Sequence, residues 1–138
     1  MNRIADYADA AEPILPTVTG DAVYARFQAE PAALAIAVVD EDGRPVGLVD
    51  RRAFFLSMAA EFGRALYAKR PISFLMEPPS IVSANSSVLE FLGEKISTNR
   101  AALMRGFIVV DKDGRYLALG TPLSLLEAGY VTAKGRVK

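Results

Sequence analysis

Hydrophobic and polar positions follow one pattern twice along the chain. Residues 38–44 (VVDEDGR) and 109–115 (VVDKDGR) match at six of seven positions, 71 residues apart. Apolar runs flank both segments, at residues 34–37, 46–49, 106–108 and 116–119. Asp-Gly between two apolar runs is a strong signal for a β-hairpin, because glycine adopts the positive φ angle that tight turns require. The pattern therefore predicts two similar hairpins within an internal repeat.

Helices are predicted before and after each hairpin, since apolar residues recur there at helical spacing. The four helices are expected over residues 20–30, 51–60, 85–96 and 123–128. Asp21 and Ser86 are the expected N-caps of the first helix in each half. The helices are offset by 65 residues and the hairpins by 71, so six extra residues are expected near residues 98–105.

Each half begins with a short extended piece next to proline, at residues 16–18 and 79–82. The order in each half is then strand, helix, strand, strand, helix. This order predicts an α/β (α+β) fold, in which two pseudo-symmetric β-α-β-β-α repeats pack as one module.

The pattern divides the chain into four parts. The first repeat is expected at residues 14–61 and the second at 79–128. A linker with a short helix over residues 72–76 occupies 62–78. Residues 129–138 form a tail without a clear pattern, which is typical of a piece of a larger protein.

Composition excludes several classes of function. The chain has no Cys and no His, which removes disulfides, thiolate zinc sites, thiol nucleophiles and Ser-His-Asp triads. Sixteen basic and 16 acidic residues cancel, so a strongly basic nucleic-acid binder is disfavoured. No apolar run approaches the ~20 residues that span a bilayer, and no phosphate-binding loop motif occurs. We expect a cytoplasmic, non-catalytic protein without a metal site.

Two local charge clusters have a plain structural interpretation. Residues 51–70 carry five basic residues and one acid, whereas residues 1–50 carry three basic residues and nine acids. A solvated linker surface is favoured there over a patch for phosphates or RNA, since no interleaved aromatics mark a single-strand site. The acidic run at residues 40–42 and the acids at 111 and 113 are interpreted as turn residues rather than a cation site.

The helix after the first hairpin has an unusually wide apolar arc. Phe54, Phe55, Leu56 and Met58 span about 200° of the helix surface, wider than the ~100° that a one-sided core needs. Either a partner chain covers the extra face, or the linker at residues 61–76 folds back over it.

The repeated order and the V-V-D-x-D-G-R segments resemble a pair of CBS (cystathionine β-synthase) domains, a Bateman module. The resemblance covers residues 14–128. Residues 62–76 are also similar to the linker of CBS pairs in bacterial signalling proteins with GGDEF and EAL domains.

The resemblance implies a nucleotide site at each strand-to-helix junction, with the family pattern G-h-h-[ST]-x-x-D. The hydroxyl residue approaches a phosphate at a helix N-terminus, and the acid holds a ribose. In the first repeat, Asp50 replaces the hydroxyl residue and Ala53 the acid; in the second, Thr121 is retained and Ser124 replaces the acid. The candidate residues are Ser80, Ile81, Val82, Thr121 and Ser124 for a working second site, and Thr17, Val18, Gly47, Asp50 and Arg51 for a degenerate first site.

The resemblance further implies regulation rather than catalysis. The expected ligand is AMP, ADP, ATP or S-adenosylmethionine, sensed by a module that is coupled to a homodimer or a partner signalling domain. The alternative is a ligand-free structural dimerisation module, which the altered motifs favour. A small carboxylate enzyme is a third, weaker interpretation. Phe54, Phe55 and Met58 are the expected dimer contacts, with one of the two phenylalanines facing the core. The sequence does not distinguish head-to-head from head-to-tail pairing.

Overall fold

The computed structural model describes residues 3–136, with the side chains of residues 102 and 136 left out. The predicted α+β class with two β-α-β-β-α repeats is confirmed. In chain order the elements are a 3-10 helix (Ile4–Tyr7), α1 (Gly20–Ala29), β1 (Ala35–Val39), β2 (Pro45–Asp50), α2 (Arg51–Ala59), α3 (Gly63–Tyr67), a second 3-10 helix (Ile72–Phe74), β3 (Ile81–Ser83), α4 (Val88–Thr98), α5 (Arg100–Arg105), β4 (Phe107–Val110), β5 (Tyr116–Gly120) and α6 (Pro122–Arg136).

The chain forms two compact units, each with its own apolar core. The repeat-1 unit is Glu12–Pro79, and the repeat-2 unit combines Met1–Ala11 with Ser80–Lys138. The buried side chains of the repeat-1 core are Val23, Phe27, Ile36, Val38, Val49, Phe54, Met58 and Ile72. Those of the repeat-2 core are Ile4, Val82, Val88, Phe91, Phe107, Val109, Ala118 and Ala128.

Both hairpins form as predicted, with the same turn chemistry. Strands β1 and β2 pair antiparallel, as do β4 and β5, and each pair has a register shift at the same place. Asp40 Oδ1 accepts backbone hydrogen bonds from residues 42 and 44, and Asp111 Oδ1 from residues 113 and 115. Gly43 and Gly114 have φ angles of 83° and 82°. The interpretation of these acids as turn residues is therefore confirmed.

The predicted N-caps are wrong by one or two positions. Thr19 Oγ1 accepts from the Ala22 amide at 3.3 Å at the start of α1, and Ser87 Oγ accepts from the Glu90 amide at 3.0 Å at the start of α4. The caps are 68 residues apart (87 − 19), so the second repeat has three extra residues before its hairpin instead of six. These residues lie in the stretch that forms α4 and α5.

A short edge segment completes the sheet of each unit. Glu77 exchanges two backbone hydrogen bonds of 2.8 Å with Leu48 of β2. Asp9 exchanges two of 2.8 and 2.7 Å with Leu119 of β5. Asp9 and Glu77 are also 68 residues apart, so the N-terminal residues before Glu12 belong to the repeated pattern.

The extended piece expected at residues 16–18 is a turn, closed by a 3.1 Å bond from the Val18 amide to the Leu15 carbonyl. The first strand of repeat 1 is instead a single parallel bridge between Ile14 and Val38. Ile14 is the counterpart of Val82 in β3 at the offset of 68. Proline at positions 13 and 16 leaves too few amide donors there for a longer ladder.

Helix α6 continues through most of the stretch that was expected to be an unpatterned tail. It reaches Arg136, and residues 137 and 138 lie outside the described part of the chain. The predicted linker helix at residues 72–76 is a single 3-10 turn, Ile72–Phe74, preceded by α3. Among the described residues, no helix has both the length and the apolar character that crossing a bilayer requires.

Candidate functional site

The junction between β5 and α6 places Thr121 and Ser124 at the N-terminus of a 15-residue helix. Pro122 follows Thr121 and fills the first helical position, where no amide donor is needed. The Thr121 amide donates to Ser124 Oγ at 3.0 Å, so Ser124 closes the return half of a capping box. Ser124 is only 4% exposed. Its oxygen already accepts one hydrogen bond, so its hydroxyl proton and one lone pair are left for a ligand.

Ser80 precedes β3 at the same end of this sheet. Strand β3 runs parallel to β4 and β4 antiparallel to β5, so the start of β3 and the end of β5 flank the start of β4. The Ser80 carbonyl accepts from the Ile108 amide at 2.7 Å, and Phe107 pairs with Gly120 next to Thr121. Two strand spacings separate Ser80 from Thr121, which is about 10 Å.

The Ser80 hydroxyl oxygen is buried and has no hydrogen-bond partner among the described residues. Ile81 is half exposed and Val82 is buried in the repeat-2 core. A buried, unpaired hydroxyl is costly, and such a group is typical of a place where water or a ligand completes the bonding. The structure thus brings the predicted repeat-2 residues to one sheet end.

The corresponding junction in repeat 1 has a different chemistry. Asp50 caps α2, and its Oδ2 accepts from the Ala53 amide at 2.9 Å. This carboxylate has the same sign of charge as a phosphate, and it also satisfies one of the free amides that a phosphate would use.

Arg51, a candidate residue of the degenerate first site, bonds to carbonyls at and after the end of α1. Its Nη1 lies 3.1–3.2 Å from the carbonyl oxygens of Phe27, Glu30 and Ala33. Its guanidinium carbon lies 5.3 Å from the ring centroids of Phe27 and Phe55. The arginine is therefore engaged within the repeat-1 unit.

The other predicted repeat-1 residues are also used by the fold. Thr17 is an exposed turn residue, and the Val18 carbonyl accepts from the Ile72 amide at 2.6 Å. Gly47 is buried, and a Cβ there would overlap the Met76 side chain. At the offset of 68, Thr17 and Val18 correspond to residues 85 and 86, so they are not the counterparts of Ser80–Val82.

Two of the three expected dimer contacts lie in the repeat-1 core. Phe54 is 2% exposed and Met58 is 5% exposed. Phe55 is half-buried, with its ring centroid 5.3–5.8 Å from those of Tyr24, Phe27 and Phe54. Linker residues pack in the same cluster, so the fold-back of the linker accounts for much of the cover of this helix.

The sequence analysis missed an exposed apolar surface on the repeat-2 helices. Leu123, Leu126, Tyr130 and Val131 are exposed on α6, and Leu89 of α4 is 81% exposed. A groove of about 620 Å³ between α4 and α6 is lined by Leu125, Ala128 and Gly129, among others. The spacing i, i+3, i+7, i+8 along 123–131 could have indicated this surface, but residues 129–138 were interpreted as a tail.

No family model and no curated protein sequence matches the chain. Solved structures do match across nearly its whole length, and they are CBS-pair proteins. CBSX2 from Arabidopsis thaliana has a TM-score of 0.76 at 17% identity, with 96% of this chain and 97% of that chain covered. AcuB from Vibrio cholerae has a TM-score of 0.76 at 15% identity, with 97% of this chain and 94% of that chain covered.

The CBS domain of a bacterial CNNM/CorC family Mg²⁺ transporter, in complex with ATP, has a TM-score of 0.72 at 18% identity, covering 91% of this chain and 85% of that chain. Another CBSX2 structure is a complex with AMP. The class of fold is therefore the tandem CBS pair, as predicted. The particular likeness of the linker to GGDEF and EAL signalling proteins stays a prediction.

Proposed function

We propose that the chain is a non-catalytic regulatory module that senses an adenosine-type nucleotide through its second repeat. The observation that carries this proposal is the unpaired, buried Ser80 hydroxyl at the same sheet end as Thr121. The AMP and ATP complexes of similar CBS-pair structures support the ligand class. The functional division is at residues 14–61, 62–78 and 79–128, with residues 3–11 added to the second repeat.

The ligand would use different groups of the repeat-2 unit. A phosphate would approach the N-terminus of α6 near Thr121, where helix amides and the helix dipole favour an anion. Ser80 and Ser124 would donate hydroxyl protons to neutral ligand oxygens. Because a hydrogen bond involving a charged group contributes about 1.5–3 kcal/mol, the missing ribose acid weakens binding by roughly 10- to 100-fold.

Isothermal titration calorimetry with AMP, ADP, ATP, S-adenosylmethionine and cyclic dinucleotides tests this proposal. We expect one ligand per chain, and Ser80→Ala and Thr121→Val should each weaken its binding about tenfold, the cost of one hydrogen bond. Thr17→Val is the matched control, because it removes an exposed threonine hydroxyl from the repeat-1 unit. Equal loss in all three variants, or no binding by any nucleotide, would refute the proposal.

Ser124→Asp restores the carboxylate of the family pattern and also suits a capping position near a helix N-terminus. We expect this variant to bind the same nucleotide 10- to 100-fold more tightly. A ligand at a hundredfold excess over its Kd stabilises the native state by about 2.7 kcal/mol, so thermal shift provides a second readout. Unchanged affinity in Ser124→Asp would place the ribose elsewhere.

A ligand-free dimerisation module is the second candidate, and the engaged Asp50 and Arg51 favour it for repeat 1. We propose a homodimer whose apolar contacts come from exposed helix residues. Phe54 and Met58 are buried and are not available for such contacts. The proposed contacts are exposed residues of three helices: Leu56 of α2, Leu89 of α4, and Leu126 and Tyr130 of α6.

Sedimentation velocity at micromolar concentration tests the dimer. Leu126→Glu should give a folded monomer, whereas Phe54→Glu should unfold the repeat-1 unit because it buries a charge. Leu117→Glu, a similarly apolar-to-acid change on the exposed face of β5, should leave the dimer intact. A wild-type monomer would refute the assembly proposal and leave the nucleotide proposal standing.

A further inference from the structure

The linker of the repeat-1 unit has an inner and an outer surface of different chemistry. Gly63 and Ile72 are buried, whereas Phe62, Leu66 and Phe74 are 71%, 42% and 59% exposed. The Leu66 amide bonds to the Phe62 carbonyl at 2.9 Å, so these two residues lie one helical turn apart. We call Phe62, Leu66 and Phe74, with the cations among them, the outer linker surface.

Phe62 adopts a left-handed backbone conformation, with φ 64° and ψ 5°. This region is sterically unfavourable for a bulky L-residue, while glycine or asparagine would adopt it readily. Gly63 follows directly, and a Cβ there would overlap the Ser57 carbonyl, so the backbone passes α2 too closely for another residue at that position. Phe62 therefore has an unfavourable backbone conformation while its ring is mostly exposed to solvent. This combination indicates that the ring contacts a partner outside the unit.

The outer linker surface is cationic. Residues 61–76 contain Arg64, Lys69 and Arg70, all exposed, and one acid, the exposed Glu61 next to Phe62. The Arg70 guanidinium carbon lies 5.6 Å from the Phe74 ring centroid. Arg64 lies 3.8 Å from Asp21 and over the Tyr24 ring, so Lys69 and Arg70 are the cations with the most freedom toward a partner.

We propose that the outer linker surface binds an acidic protein segment that inserts apolar side chains beside Phe62. Exposed aromatics next to arginine are the residue types that dominate protein–protein hot spots, and the excess of cations over acids in residues 61–76 favours an acidic partner. A protein is favoured over a membrane because α3 has five residues, too few for an amphipathic helix lying in a bilayer interface. This surface is independent of the nucleotide proposal.

Selection of a phage-displayed random 16-residue peptide library against the wild-type chain, with counter-selection against Phe62→Gly, tests the inference. We expect enriched peptides that combine acids with apolar residues. By fluorescence anisotropy, the synthesised peptide should bind Phe62→Gly at least tenfold more weakly, and Lys69→Glu/Arg70→Glu at least tenfold more weakly. Leu117→Ala, which trims a similarly exposed leucine in the other unit, is the matched control and should bind like wild type.

Peptides without acids, or equal binding by Phe62→Gly and wild type, would overturn the inference. Phe62→Asn provides a second variant that tolerates the left-handed conformation, and far-UV circular dichroism should show both variants folded. Vesicles of phosphatidylcholine and phosphatidylglycerol at a 3:1 ratio provide the membrane arm. Co-sedimentation that requires Phe62, in the absence of any peptide that does, would overturn the protein partner in favour of an anionic bilayer.

Discussion

We expect the Arg51 side chain to contribute more to the stability of the repeat-1 unit than any other polar side chain of α2. It begins α2 and its Nη1 contacts three carbonyl oxygens at the end of α1, at 3.1–3.2 Å. The guanidinium also lies over Phe27 and Phe55. Removing the side chain takes this donor from the part-buried carbonyls of Phe27 and Ala33, and an unsatisfied carbonyl accounts for most of the cost of a lost hydrogen bond. The Glu30 carbonyl keeps its bond from the Ala33 amide.

The magnitude follows from how many bonds one nitrogen can make. Nη1 carries two protons for three carbonyls, so we count two charge-assisted bonds at about 1.5 kcal/mol each. The cation–π contacts add about 0.5–1 kcal/mol at a partly exposed position. Arg51→Ala should therefore cost about 3.5–4 kcal/mol. Arg51→Lys keeps the charge but loses the planar stacking, and should cost about 1–2 kcal/mol.

Urea unfolding followed by far-UV circular dichroism measures these changes, since the chain has no tryptophan. Arg52→Ala is the matched control: Arg52 is exposed and adjacent, and its removal should change the free energy of unfolding by less than about 0.5 kcal/mol. Identical unfolding midpoints for Arg51→Ala and Arg52→Ala would refute the reasoning, as would full stability in Arg51→Lys.

Three further changes probe other parts of the fold by the same unfolding measurement. Phe54→Ala should cost about 3–5 kcal/mol, because the ring is buried and leaves a cavity; a cost below 1 kcal/mol would contradict its burial. Gly120→Ala should cost about 1–3 kcal/mol of unfolding free energy, because the added methyl group overlaps the buried Phe107 ring; wild-type stability would mean that the ring moves aside. Tyr116→Phe should cost about 1 kcal/mol, because it removes the 2.5 Å hydroxyl bond to the Ala11 carbonyl; no loss would show that the N-terminal segment is held without it.

Local turn chemistry made the hairpins predictable from the sequence. Each needs an aspartate to accept amides across the turn and a glycine with positive φ, and both sit at fixed positions in the V-V-D-x-D-G-R segment. The turn then places the apolar runs on its two sides next to each other, so that they pair as antiparallel strands. The repeat and the class of fold followed from these residues.

The start of α1 was less predictable because several residues there are good caps. Thr19 and Asp21 are both favoured types, and the choice between them is made by tertiary contacts. The Gly20 amide donates to the Arg70 carbonyl at 3.1 Å and the Asp21 amide to the Ala68 carbonyl at 2.8 Å. Those linker carbonyls are 47 or more residues away in sequence, so no local pattern could reveal them.

The sequence predicted where the candidate site residues lie along the fold, but not which of their polar groups form hydrogen bonds. The sequence placed Thr121 and Ser124 at a helix N-terminus, and the structure agrees. It did not show that Ser124 accepts from the Thr121 amide, or that Ser80 Oγ has no hydrogen-bond partner within the described part of the chain. The sequence also did not indicate which carbonyl groups Arg51 contacts, because a long side chain reaches groups that sequence spacing does not specify.

The strand-to-helix junctions of the two repeats share a fold and differ in their capping chemistry. Each junction residue also serves as part of a helix cap: Asp50 through its carboxylate and Ser124 through its hydroxyl. Asp50 occupies the N-cap position of α2, whereas Ser124 occupies the third position of α6, and each accepts a hydrogen bond from a backbone amide at its helix start. The two capping groups differ in charge, because Asp50 carries a carboxylate and Ser124 a neutral hydroxyl. Under the proposed function, this difference in charge favours an anion at the repeat-2 junction, where the Ser80 hydroxyl has no hydrogen-bond partner among the described residues.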